Sequence, residues 1–170
     1  MLIFLIGMPG SGKTSIGREL AKETGYRLMD LDAYIVDKEK LSIPNIFKTK
    51  GEDYFRQAET RCLKEIIEKT KDSIIAVGGG TPCYNNNMQL MQNGGKTIYL
   101  KASVDSLVKR IENDSNERPL FAKMNGRKLQ EKIESMLSHR EKFYRKAPMS
   151  FDTEGRTPAQ CAKELSPLLK

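Results

Sequence analysis

The chain has 170 residues, of which 38% are hydrophobic and 30% charged, and this composition excludes a disordered polypeptide. The formal charge of +7 favours an anionic partner, although the basic residues are spread along the chain and select no class of anion. No apolar run approaches the ~20 residues of a membrane span. The cysteines, Cys62, Cys83 and Cys161, contain no CxxC pair, which excludes a disulfide framework or zinc knuckle and favours the reducing cytoplasm.

Apolar runs and helical periodicity alternate along the chain. Residues 2–6 form a continuous apolar run that ends in glycine, which is typical of a strand buried on both faces. Further strands are predicted at residues 27–29, 74–77, 97–100 and 149–152. Helices are predicted at residues 13–23, 32–37, 52–69, 86–92, 103–111, 127–146 and 158–169. The alternation predicts an α/β fold with a five-stranded parallel sheet and helices on both faces.

A single domain over residues 1–170 is predicted, because no repeat or Pro/Ser-rich linker divides the chain. Residues 112–126 are rich in polar residues without periodicity and are interpreted as a loop, with a mobile lid at about 112–125. Ligands of parallel α/β sheets bind beyond the carboxyl ends of the strands, so we expect the functional site at that edge.

Residues 7–14, GMPGSGKT, match the pattern G-x-x-x-x-G-K-[ST] between the first predicted strand and the first predicted helix. Glycines let backbone N–H groups turn toward phosphate oxygens, and the helix N-terminus adds partial positive charge. Lys13 is predicted to reach the β- and γ-phosphates, and Thr14 to bind Mg²⁺. The loop therefore indicates a nucleotide site in a three-layer P-loop fold, the alternative being a turn that only joins strand and helix.

The class of P-loop protein follows from two missing features of the sequence. A switch GTPase would carry an Asn-Lys-x-Asp guanine-binding motif, and none occurs here. A motor ATPase usually ends a later strand with an acidic residue, whereas the run at 74–77 ends in glycines. A small-molecule kinase is the class that remains.

Two carboxylates, Asp30 and Asp32, follow the second predicted strand. If the extended conformation continues through them, both face the same way. One could then hold Mg²⁺ through water, while the other accepts a hydrogen bond from the attacking hydroxyl. The alternative is that either aspartate caps the following helix, since Asp is a favoured N-cap residue.

Glycines 78–80 directly follow a predicted buried strand, which favours a ligand that approaches the backbone closely. Arg56 lies on an amphipathic helix, and Arg140 lies on the same helical face as Ile133 and Met136. A charge on an inward face needs an anionic partner, either an internal carboxylate such as Glu59 or a substrate carboxylate. The residue types alone leave these two options even.

Arg118, in the predicted loop, is a candidate to reach over the phosphates, the alternative being an ordinary solvated arginine. With these residues assembled, the chain resembles the shikimate kinase family of P-loop kinases over almost its whole length. The motifs that carry the resemblance are GMPGSGKTSIG, the Asp-x-Asp at 30–32, Ser-Ile-x-x-Ile-Phe at 42–47, GEDYFR at 51–56, the triple glycine, Arg-Pro-Leu at 118–120, and Arg-x-x-x-Tyr at 140–144.

The resemblance implies a role for each matching residue. Thr14 and Asp30 are similar to the residues around Mg²⁺, and Asp32, Lys13 and Arg118 to the catalytic residues. The implied acceptor-binding residues are Asp32, Arg56, Gly78, Gly79, Gly80 and Arg140. The implied ATP-binding residues are Gly10, Ser11, Gly12, Lys13, Thr14, Ser15, Arg110, Arg118 and Arg156.

The resemblance further implies transfer of the ATP γ-phosphoryl group to the 3-hydroxyl of shikimate by a cytoplasmic enzyme, acting as a monomer without nucleic acid or membrane partners. A related kinase for gluconate or a nucleoside monophosphate is the nearest alternative. A nucleotide-gated nucleic-acid-binding protein is a second, motivated by the +7 charge. Thr81-Pro82 departs from the family pattern, and so the wall near Gly80 is expected to be shaped differently.

Overall fold

A computed structural model describes residues 1–114 and 119–169. The strands are β1 (Leu2–Ile6), β2 (Arg27–Asp30), β3 (Ser73–Ala76), β4 (Lys96–Lys101) and β5 (Met149–Asp152). The α-helices of the described part are α1 (Lys13–Thr24), α2 (Leu31–Glu39), α3 (Ile43–Lys50), α4 (Glu52–Lys69), α5 (Asn87–Gly94), α6 (Val104–Glu112), α7 (Gly126–Tyr144) and α8 (Pro158–Leu165). Short 3₁₀ segments occur at Thr81–Cys83, Pro119–Phe121 and Ser166–Leu169.

The five strands form one parallel sheet in the order β2-β3-β1-β4-β5. β1 is central and wholly buried, and its alternate side chains enter two separate cores. Ile3 and Leu5 pack with α1 and α8, whereas Phe4 and Ile6 pack in the cluster formed by α2 to α7. Helices therefore cover both faces of the sheet, and the predicted three-layer fold is confirmed.

The predicted strands and helices are present with small shifts in their bounds, and the differences lie between β2 and α4, in the predicted loop, and after Leu165, where α8 ends and a 3₁₀ turn follows. Helix α2 begins at Leu31, directly after β2, so no extended chain continues to Asp32. Helix α3 was not predicted, although Ser42 caps it by accepting a hydrogen bond from the Asn45 N–H at 3.3 Å. Residues 119–121 of the predicted loop form a 3₁₀ turn.

Two findings bear on the composition-based expectations. All three cysteines are free thiols, and no disulfide links them. Among residues 1–114 and 119–169, no helix is both long and apolar enough to cross a membrane.

Candidate active site

The loop between β1 and α1 has the backbone that its glycines predict. Gly10 and Gly12 adopt left-handed φ values of 84° and 95°, a region that L side chains rarely occupy. The Lys13 ammonium donates hydrogen bonds to the carbonyl oxygens of Gly7 at 2.8 Å and Met8 at 2.9 Å. The lysine is thus folded back across the loop, with its charge held where phosphate oxygens would enter.

Two clefts meet at this loop, and both include Gly10, Gly12, Thr14 and Ser15 in their walls. The smaller cleft, of about 190 Å³, lies at the carboxyl ends of β2 and β3. Its remaining lining residues are Pro9, Lys13, Asp30, Asp32, Ala76, Val77, Gly78 and Gly79. The larger cleft, of about 560 Å³, lies on the other side of the loop, toward α6 and α8. The arrangement suits a transfer reaction, because one loop can hold a phosphate chain between two binding volumes.

Both aspartates of the Asp-x-Asp motif line the smaller cleft, but they do not both lie on an extended strand. Asp30 is the N-cap of α2, and its Oδ1 accepts a hydrogen bond from the Ala33 N–H at 3.0 Å. Asp32 lies in the first turn of that helix rather than on an extended strand. The condition of continued extension is therefore not met, and the capping alternative for Asp30 is confirmed.

Asp32 is the carboxylate with the most perturbed environment in the cleft. Its burial, reinforced by the nearby charges of Asp30 and Glu59, raises its pKa to about 6 from an ordinary value of 3.8. Lys13 and Arg56 oppose that rise by favouring the charged form. A carboxylate with this pKa is mostly ionised at pH 7 and yet is basic enough to accept a proton from a reacting hydroxyl.

Each glycine of the triple-glycine segment lies against a different charged side chain. A Cβ atom on Gly78 would lie 3.0 Å from Asp32 Oδ1, and one on Gly79 would lie 2.9 Å from Arg140 Nη1. On Gly80 it would lie 2.9 Å from both Arg56 Nη1 and Nη2. Gly79 is also close to the phosphate loop, with Pro9 Cδ 3.2 Å from its Cβ position.

The three glycines therefore bring together side chains from α2, α4 and α7. The convergence predicted for Asp32, Arg56 and Arg140 is present beside Lys13. The reason for glycine at these positions is space, because none of the three has a φ in the left-handed region that L side chains avoid.

The two arginines differ in how they are held. Arg56 Nη1 donates to the Glu59 carboxylate at 3.0 Å, and Glu52 lies 3.6 Å from its Nε. The side chain of Glu59 is 1% exposed, and its burial raises its pKa, an effect that Thr81, Arg56 and Arg140 oppose. None of the ion pairs within residues 1–114 and 119–169 involves Arg140. The internal-carboxylate option thus applies to Arg56, whereas Arg140 lies beside Gly79 and acts on the Glu59 carboxylate only from beyond ion-pair distance.

Tyr144 is a residue at this site whose function the sequence did not reveal. Its hydroxyl donates a hydrogen bond to the Gly79 carbonyl oxygen at 2.6 Å, and its ring is fully buried. Burial raises its pKa well above the ordinary value, although nearby Arg140 works against the rise. The Arg-x-x-x-Tyr spacing places both residues on one face of α7, which was the available signal. Tyr144 fixes the peptide of Gly79 that Arg140 contacts.

The larger cleft is lined by Ser11, Arg110, Thr153 and Arg156, among others. Arg110 donates to the Thr153 hydroxyl at 3.1 Å, to its carbonyl at 3.3 Å and to the Gly10 carbonyl at 3.4 Å. Arg156 binds the Glu164 carboxylate through Nε at 3.0 and 3.1 Å. Arg110 and Arg156, which the resemblance implies are ATP-binding residues, therefore both lie at this cleft. Arg118 falls outside the described residues, and its role stays a prediction.

The parallel sheet, the glycine loop that opens α1 and the small polar cleft beside it define a P-loop kinase with a small-molecule acceptor. Comparison with known sequences specifies the family. The family model described as shikimate kinase matches residues 9–170, and the chain belongs to that family. A relative named shikimate kinase, from Parabacteroides distasonis, is 41% identical over 152 residues, which are 89% of this chain and 87% of the relative.

Solved structures agree with this membership. A shikimate kinase from Bacteroides thetaiotaomicron has a TM-score of 0.94 at 32% identity and covers 99% of this chain and 98% of its own. A shikimate kinase from Acinetobacter baumannii, in complex with shikimate, has a TM-score of 0.87 at 32% identity and covers 98% of this chain and 91% of its own. The resemblance inferred from the motifs is therefore confirmed.

Proposed function

We propose that this chain transfers the γ-phosphoryl group of ATP to the 3-hydroxyl of shikimate, giving shikimate 3-phosphate and ADP. The observation that carries the proposal is the placement of Asp32, Arg140 and Arg56 against three consecutive glycines beside the phosphate loop. Two guanidinium groups suit the acceptor carboxylate, and the Asp32 carboxylate and glycine backbone suit its hydroxyls. Membership of the shikimate kinase family supports the same acceptor.

In the proposed reaction the acceptor oxygen attacks the γ-phosphorus while the bond to the β–γ bridging oxygen breaks, and ADP leaves with that oxygen. Asp32 orients the acceptor hydroxyl and takes its proton, which its pKa of about 6 permits. Lys13 exchanges the Gly7 and Met8 carbonyls for phosphate oxygens and stabilises the charge on the transferred group. Positioning and electrostatics supply most of the rate acceleration.

The donor set of the smaller cleft fits Mg²⁺, which is the metal we propose. Thr14 offers a hydroxyl and Asp30 a carboxylate in the wall of one cleft, and Mg²⁺ prefers oxygen ligands, of which it usually takes few from the protein. No cluster of three or more metal-binding side chains occurs in the described part of the chain, as expected for an ion bound largely by phosphates and water. When bound, the ion would neutralise charge on the phosphates.

The nucleotide base is proposed to occupy the larger cleft, between Arg110 and Arg156. A lid over residues 112–125 and a phosphate contact from Arg118 remain predictions. We further propose a monomeric cytoplasmic enzyme without nucleic acid or membrane partners. The site formed within one chain supports the monomer, and the three free thiols support a reducing compartment.

A coupled ADP-release assay with a panel of acceptors tests the proposal. Shikimate is expected to support faster turnover than gluconate or CMP, and faster turnover with either of those would overturn the acceptor assignment. Arg140→Ala is expected to raise the shikimate KM at least tenfold with little change in the ATP KM, because one charge-assisted contact contributes roughly 1.5–3 kcal/mol. Lys132→Ala, a change on another face of α7, serves as the control. An unchanged shikimate KM in Arg140→Ala would remove this arginine from the acceptor site.

A further inference from the structure

The segment that follows the triple glycine, residues 81–84, brings an aromatic ring against Arg56. After the 3₁₀ turn Thr81–Cys83, the ring centroid of Tyr84 lies 4.1 Å from Arg56 Cζ. The Phe55 ring, beside Arg56 on α4, is more distant at 5.1 Å. A guanidinium this close to an aromatic ring is attracted to it electrostatically, and the flat group is also oriented by stacking.

The same segment reaches Arg56 by a second route, through a buried carboxylate. The Thr81 hydroxyl donates a hydrogen bond of 2.5 Å to Glu59 Oε2, while Glu59 Oε1 accepts one of 3.0 Å from Arg56 Nη1. Thr81 is 0% and Glu59 1% exposed, so water does not compete for these bonds. Thr81 thereby holds the Glu59 carboxylate in place, and that carboxylate in turn holds the Arg56 guanidinium.

Packing of the core does not explain the aromatic ring at position 84. Tyr84 is 39% exposed and belongs to neither apolar cluster of the described chain. Within residues 1–114 and 119–169, its hydroxyl makes one long hydrogen bond, of 3.4 Å, to Glu52. Its ring lies over the Arg56 guanidinium.

The orientation of Arg56 matters because a guanidinium recognises a carboxylate in a planar, two-pronged geometry. Glu59 contacts Nη1, and Nε has no hydrogen-bond partner despite its burial. One hydrogen bond to Nη1 and a 3.6 Å ion pair between Nε and the exposed Glu52 still allow the guanidinium plane to tilt, whereas a ring stacked on it restricts that plane.

We propose that Thr81 and Tyr84 are positioning residues for the acceptor carboxylate. Tyr84 fixes the plane of the Arg56 guanidinium by stacking, and Thr81 fixes the position of that guanidinium through Glu59. The inference rests on the proposed acceptor-binding role of Arg56. It assigns a function to Thr81, the first residue of the Thr81-Pro82 pair.

The direct test compares Tyr84→Leu with Tyr84→Phe, since the phenylalanine keeps the ring and loses only the hydroxyl. Tyr84→Leu is expected to raise the shikimate KM roughly three- to tenfold, the range of a partly exposed cation–π contact, with kcat and the ATP KM within about twofold of the unsubstituted protein. Tyr84→Phe is expected to match the unsubstituted protein. A KM rise in Tyr84→Phe equal to that in Tyr84→Leu would overturn the stacking role, as would no rise in Tyr84→Leu.

Thr81→Val, compared with Thr81→Ser, tests the second route. The serine retains a hydroxyl donor to Glu59 and is expected to keep the shikimate KM, whereas the nearly isosteric valine is expected to raise it. Equal shikimate KM values for the two variants would refute the Thr81 role, provided that thermal melts show both to be folded. If valine prevents folding, Thr81→Ala takes its place in the same comparison.

A double-mutant cycle separates failure of this inference from failure of the proposed function. In an Arg56→Ala background, or Arg56→Met if the alanine variant does not fold, Tyr84→Leu is expected to have no further effect on the shikimate KM, because neither side chain carries a cation for the ring. If Arg56→Ala itself leaves that KM unchanged, the acceptor assignment of Arg56 is wrong. If Arg56→Ala raises it but Tyr84→Leu does not, only the positioning role is wrong.

Discussion

Gly80→Ala would displace the Arg56 guanidinium without straining the backbone. Gly80 has φ −87° and ψ −19°, which alanine adopts readily. The three nearest atoms to its Cβ position all belong to Arg56: Nη1 and Nη2 at 2.9 Å and Cζ at 3.2 Å. Ordinary van der Waals contact begins at 3.4 Å, so the guanidinium must retreat by at least 3.4 − 2.9 = 0.5 Å.

The size of the effect follows from what holds Arg56 in place. Glu59 at 3.0 Å and the Tyr84 ring at 4.1 Å oppose the retreat, so the group is pushed out of register with an acceptor carboxylate. Loss of one charge-assisted hydrogen bond costs about 1.5–3 kcal/mol, equivalent to a roughly 10- to 100-fold rise in the shikimate KM. The protein should not lose stability through its backbone, since a tolerated Gly→Ala change stabilises by about 0.4–1 kcal/mol.

Steady-state kinetics with each substrate varied in turn, together with a thermal melt, measure these expectations. The ATP KM should stay within about twofold, because no atom of the phosphate loop is among the three nearest to the new methyl group. In an Arg56→Ala background the clash disappears, and Gly80→Ala should then change little. An unaltered shikimate KM, or an equal loss of ATP affinity, would refute the reasoning.

Tyr144→Phe should destabilise the protein by about 1–3 kcal/mol in urea denaturation, because the Gly79 carbonyl loses its 2.6 Å donor; an unchanged midpoint would contradict this. Arg110→Ala should raise the ATP KM and spare the shikimate KM, since Arg110 bonds Thr153 and the Gly10 carbonyl in the larger cleft; the reverse pattern would exclude the assigned base site. Asp32→Asn should abolish most turnover and yet stabilise the folded protein. Because the pKa of Asp32 is raised from 3.8 to about 6 on folding, its ionised form lowers the free energy of unfolding above pH 6 and has no such effect below pH 4, where the group is protonated in both states. The gain, up to about 3 kcal/mol, should therefore develop between pH 4 and 6, and melts showing the same gain at pH 4 and pH 7.5 would disprove it.

Features fixed by neighbouring residues were predictable from the sequence. The phosphate loop was placed correctly because β1, the glycines and the start of α1 are contiguous, and each obeys a local rule. The order of strands and helices followed from periodicity in the same way. Helix α3, Ile43–Lys50, was not predicted although Ser42 and Pro44 are start signals, so its capping sequence was the local evidence that was overlooked.

Contacts between distant segments were predictable only as options. Spacing indicated that Arg140 needed an anionic partner and named Glu59 as one candidate, but the structure gives Glu59 to Arg56, three residues away on the same helix. The hydrogen bond from Tyr144 to Gly79 joins residues 65 positions apart, and no local rule indicates it. Likewise, the capping of α2 by Asp30 depends on where β2 ends, which the Asp-x-Asp spacing does not specify.

The triple glycine shows why the acceptor side was harder to derive than the phosphate side. In the phosphate loop, glycine is required because the backbone has positive φ values, and a sequence motif is enough to indicate this requirement. In residues 78–80 no φ lies in the left-handed region, and glycine is required because three side chains from three helices occupy the space of its Cβ atoms. The same close approach that brings Asp32, Arg140 and Arg56 to one backbone segment makes each of them sensitive to a single methyl group there. In the proposed acceptor site, specificity would therefore depend on the backbone that these side chains lie against as much as on the side chains themselves.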